Sequence, residues 1–91
     1  MILLVAYDLH NPNRDYDDVI KAIKDAPDYI HAQESVWLID TAQSPDAWVK
    51  KLEAAGDSDD KLFVMQLKKH GSWRNLAPGV GAWINSSERN W

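Results

Sequence analysis

An almost unbroken apolar run, Ile2-Leu3-Leu4-Val5-Ala6-Tyr7, opens the chain and restricts what it can fold into. The run is far too short to span a bilayer, and it lacks the basic lead-in and small-residue cleavage site of a signal peptide. It reads as a strand covered on both faces, and therefore central in its sheet. Something must supply that cover. A chain of 91 residues buries only about 60–65% of its unfolded surface, so a second subunit is expected to help.

The remaining elements follow from local chemistry. After the polar stretch Asp8-Leu9-His10-Asn11-Pro12-Asn13, Asp15 and Asp18 mark a helix start, with acids at the positive end of the dipole. Tyr16, Val19, Ile20 and Ile23 recur at helical spacing, and Pro27 ends that helix. A short strand is expected over Tyr29 to Gln33 and a stronger one over Val36-Trp37-Leu38-Ile39, which is rich in β-formers. Ser44-Pro45-Asp46 is a helix start with hydroxyl cap and proline in the first turn. Trp48, Leu52 and Ala55 give that helix its buried stripe, and Gly56 stops it. Lys61 to Leu67 reads as a last strand, entered through the acidic turn Asp57-Ser58-Asp59-Asp60. This turn lacks the glycine and terminal glutamate of a calcium loop.

The order is β-α-β-β-α-β. Right-handed crossovers fold it into a ferredoxin-like α+β domain, a four-stranded antiparallel sheet with two helices on one face. That core takes residues 1–67. Residues 68–91 form a C-terminal extension broken by Gly71, Pro78, Gly79 and Gly81, with a frayed end expected over 85–90. It has two courses: packing on its own sheet, or reaching across to a partner, which the open sheet face and edge favour. Five tryptophans in one short chain exceed what a single small core takes up, and Trp is enriched in subunit contacts. Trp73 and Trp83 are therefore the expected dimer-interface residues.

Composition bounds the function. A net charge of −4 argues against generic nucleic-acid binding, which draws on Lys and Arg. The cations nevertheless gather in the second half, at Lys50-Lys51, Lys61, Lys68-Lys69 and Arg74. There is no cysteine, so neither disulfides nor thiolate metal sites arise. A cytoplasmic location suits this, with no membrane contact.

Asp8 stands where the central strand meets a polar loop. Two copies packed about a nearby two-fold axis would bring two such carboxylates together, and paired hard oxygens suit Mg2+ or Mn2+ at a phosphodiester. The alternative is that Asp8 caps the Asn11-Pro12 turn. His10 is placed to act as a general base or second metal contact, or is a solvated loop histidine. Arg14 reaches a phosphate or pairs with Asp15, Asp17 or Asp18. Ser35 touches a substrate phosphate or is polar surface. Lys68-Lys69-His70 with Trp73 and Arg74 combines cations with an aromatic ring, fit to pair with phosphates and stack a base, or to anchor a dimer through Trp73.

Val5-Ala6-Tyr7-Asp8, Gln33-Glu34-Ser35-Val36-Trp37 and Asp57-Ser58-Asp59-Asp60-Lys61-Leu62-Phe63-Val64 together resemble the small CRISPR-associated adaptation family, Cas-two. The likeness covers roughly residues 1–67, and short standalone SinR-like or Cas-two-like bacterial and phage proteins are the nearest in character. It implies a ferredoxin-like homodimer in which Asp8 binds a divalent metal at the dimer cleft; Tyr7, His10, Arg14, Ser35 and Trp37 are the expected substrate-binding residues. Some relatives cut RNA or DNA; others are non-catalytic scaffolds, and toxins of the VapD type share the fold. The acidic charge and the Trp-bearing tail depart from the family pattern. Two functions are expected to compete: a metal-dependent endonuclease acting through Asp8, and a non-catalytic module or scaffold that recognises a protein partner in phage defence, CRISPR adaptation or a toxin–antitoxin system.

Overall fold

Continuous apolar runs in β-forming segments set the sheet, and two short helices roof one side of it. The computed structural model describes residues 1–9 and 16–91. In chain order the elements are β1 (Ile2–Asp8), α1 (Asp17–Ile23), β2 (Asp28–Gln33), β3 (Val36–Asp40), α2 (Pro45–Ala55), β4 (Lys61–Gln66) and α3 (Val80–Asn85). The sheet order is β2-β3-β1-β4, with every neighbouring pair antiparallel. This is the expected ferredoxin-like α+β plan, with β1 central.

One face of the sheet presents Leu3, Val5, Trp37 and Ile39 to Val19 and Ile23 of α1 and to Trp48 and Leu52 of α2. Each fully buried side chain of this size contributes about 1.5–3 kcal/mol, which makes this layer the main core. Trp48 stays satisfied there because its indole N–H donates to the Thr41 hydroxyl at 3.1 Å. Ser44 caps α2 as expected, its hydroxyl accepting the Ala47 N–H at 3.1 Å. α1 closes at Ile23, earlier than Pro27 alone would require, and a turn through Ala26 carries the chain to β2. Asp15, the expected helix cap, lies outside the described residues.

The extension covers the opposite face. Of its two possible courses the structure takes packing on its own sheet. Val80 is fully buried with Ala32 and Leu38, and Leu4, Ile30, Val36, Leu76, Trp83 and Ile84 pack against them. Gly79 sits at φ +93°, a left-handed conformation costly for other residues, and its turn launches α3 onto the sheet. The end of the tail is fixed instead of frayed. Arg89 donates to Asp28 at 2.6 Å, and the Asn90 backbone and side-chain amides donate to Asp40 at 3.1 to 3.3 Å.

The tail roof is incomplete. Registry places Leu4 opposite Met65 and Ala6 opposite Phe63, so Met65 and Phe63 share the tail-covered face. They remain 52% and 56% exposed.

Candidate functional site

Asp8 ends β1 and lies opposite Lys61 of the edge strand β4. Its side chain is 79% exposed, and its carboxylate meets the Lys61 ammonium at 4.0 Å. The sheet thus holds the backbone of Asp8 while leaving its carboxylate in water. An exposed pair of this kind contributes little to stability, of order 0–1 kcal/mol. A shallow apolar hollow flanked by Tyr7 and Phe63 lies next to it.

Four of the sequence-derived candidates gather at this end of the sheet. The Ser35 carbonyl, in the β2–β3 turn, accepts the Tyr7 N–H at 3.2 Å. The Tyr7 hydroxyl accepts the Trp37 indole N–H at 3.1 Å. Trp37 itself belongs to the helix-side core, with the His31 ring stacked on it at 4.2 Å and 6°. Tyr7 and Trp37 are therefore spent on each other, and Trp37 offers no free face for a substrate. Ser35 holds the strand end through its backbone. His10 and Arg14 lie outside the described residues.

A divalent cation takes more donors than the described residues at this end provide. Asp8 is a single carboxylate with an ammonium beside it. Among the described residues no cluster of three or more His, Cys, Asp or Glu side chains is arranged to hold a metal. Mg2+ and Mn2+ take several oxygen ligands, and among the described residues no such set is gathered around Asp8; His10 and Asp15 lie outside them.

A second polar constellation, not anticipated, lies at the far end of the sheet. Asp28 and Asp40 face each other across β2 and β3, an arrangement that is repulsive on its own. The Arg89 side chain, only 5% exposed, reaches both carboxylates, at 2.6 and 4.0 Å. Its guanidinium also lies 4.2 Å over the Trp83 ring. The Trp83 indole N–H donates to Asp28 at 3.0 Å. That bond holds the Asp28 carboxyl below its usual range, with help from Arg89 and the Tyr29 N–H and against the upward push of burial. The N-terminal ammonium adds a contact to Asp40 at 3.8 Å. The sequence signal was slight: an Asp at each end of the β2–β3 hairpin and one Arg in a polar tail.

Trp83, expected at a dimer contact, is thus taken up within its own chain. Trp73 remains 44% exposed.

No family model, curated protein or solved structure matches this chain. Among the described residues no helix is long and apolar enough to cross a membrane.

Proposed function

We propose that this chain is a non-catalytic binding module that works as a homodimer joined through the β4 edges. The observation that carries this reading is the contrast between the two edges of the sheet. The β2 edge has a register irregularity between His31 and Gln33, and α3 and Arg89 pack beside it. Bulges and covering elements of this kind keep strand edges from pairing. β4 keeps an unbroken register with β1, and although α2 packs on its helix side, the other face carries Phe63 and Met65 uncovered.

Two β4 strands paired antiparallel about a two-fold axis at Val64 would set Met65 of each copy opposite Phe63 of the other. Aromatic and apolar cross-strand pairs of this type are favourable. Lys61, the one charged residue of β4, would fall opposite Leu67, so like charges do not meet. Strand spacing and rise then put the two Asp8 side chains roughly 25 Å apart. In this dimer Asp8 cannot share a cation across the axis.

Sedimentation of the wild type and of Met65→Lys tests the reading. The wild type should run as a dimer at micromolar concentration and the variant as a folded monomer. A wild-type monomer, or a Met65→Lys dimer, would sink it.

A metal-dependent endonuclease is the second reading, favoured by the exposed carboxylate at the end of the central strand. It requires a different packing, with an axis beside Asp8. Cleavage of RNA or DNA in Mn2+, abolished by Asp8→Ala, would replace the first reading with this one.

A further inference from the structure

The segment after β4 collects cations that no described carboxylate neutralises. Lys50 meets Asp46, Lys51 meets Asp25, Lys61 meets Asp8, and Arg89 meets Asp28. Lys68, Lys69 and Arg74 are exposed and have no carboxylate partner among the described residues. Between this segment, the end of α3 and Trp91 lies a cavity of about 300 Å³. That is the lower end of the range that holds small ligands.

Two indoles line it. Trp73 rests against α3 at Gly81, where even a Cβ would come within 3.3 Å of the indole nitrogen. The helix backbone thus fixes the ring from one side, while nearly half of the residue stays in solvent. Trp91 lines the cavity too. Its indole N–H is shielded from water and has no acceptor among the described residues. Buried donors are seldom left so. Asn85 and His70 add polar groups to the wall.

We infer that this cavity binds a nucleotide unit, a base with its phosphate, either free or as part of a single strand. The base stacks on Trp73, as bases do on aromatic platforms. Lys68 and Lys69 take the phosphate, and the Trp91 N–H and the Asn85 amide are at hand for ligand oxygens. An acidic peptide would use the lysines but not the exposed indole, and an apolar peptide would leave the lysines idle. The net charge of −4 does not oppose a ligand this small, because physiological salt screens charge beyond about 8 Å. It does oppose a long duplex. Lys68 directly follows Leu67, so this site borders the proposed β4 seam, and the two are told apart because binding is read from indole signals and pairing from sedimentation.

The five tryptophans give resolvable indole N–H signals in a proton–nitrogen spectrum of the intact chain. Titration with adenosine monophosphate, and separately with a short oligouridylate, should move the Trp73 and Trp91 signals and leave buried Trp48 in place. The exposed pair change Lys68→Glu/Lys69→Glu should weaken binding at least about tenfold, and Trp73→Leu by a similar factor. Binding of the monophosphate alone identifies a free nucleotide as the ligand; binding of the oligomer alone identifies a single strand. Unmoved signals with both probes overturn the inference, as does affinity unchanged in the lysine variant. Should Trp73→Leu alter sedimentation but not affinity, Trp73 is a subunit contact and the stacking role falls.

Discussion

Arg89 shows how much one side chain can decide in a chain this small. Asp28 and Asp40 face each other on neighbouring strands, and the guanidinium between them turns a repulsive pair into an attachment for the tail. The Asp28 carboxyl titrates below its unfolded value, chiefly because Trp83 donates to its charged form. Its stabilising contribution is therefore complete above the ordinary carboxylate range near pH 4 and is lost as pH falls through the lowered value. Thermal melts taken stepwise into acid should show the wild type losing stability faster than Asp28→Asn below about pH 4. Curves that run parallel would remove Asp28 from the acid response. None of this was legible in the sequence, because Arg89 and Asp28 stand 61 residues apart and only the folded tail brings them together. Asp8 was legible as a carboxylate at the mouth of a central strand. What the sequence could not reveal was that the neighbouring register position would be filled by Lys61.

At the scale of elements, those with strong local signals were the readable ones. α2 carries its own start and stop, and Ser44 occupies the cap position its chemistry suggests. Ser44→Ala should cost about 1 kcal/mol, lowering the melting temperature by about 4–8 °C in a domain of this size. A shift under a degree would mean that the cap adds little beyond tertiary packing. α3 was not readable. Its six residues, Val80–Asn85, include a glycine and follow another. Helices this short are unstable alone and owe their existence to burial of an apolar face. Here that burial is Val80 against the sheet. The expected course of the tail, across to a partner, differed from the observed one for the same reason: Trp83 and Ile84 announce a need for cover without naming the surface that gives it.

The whole molecule is a sheet roofed on one side by two helices and on the other by its own tail. Val80 is the apolar pin of the second roof. Val80→Asp would bury an unpaired carboxylate there and should cost about 3 kcal/mol or more. Residues 80–91 would then lose protection in hydrogen exchange before the helix-roofed core does, and the bared face of Leu4, Ile30, Val36 and Leu38 would take up a hydrophobic dye. Simultaneous loss of protection everywhere would show that the tail and core unfold as one unit. The α+β plan at this scale was legible from the order of elements, since few topologies accommodate β-α-β-β-α-β.

The sheet has one margin interrupted beside His31 and one flanked by exposed Phe63 and Met65. If two β4 margins pair as proposed, only interrupted ones would face outward, and no third molecule would find a place to join. The same irregularity beside His31 that looks like a flaw in the ladder would then hold the proposed assembly at a pair, where an unbroken second edge would allow growth into a fibre.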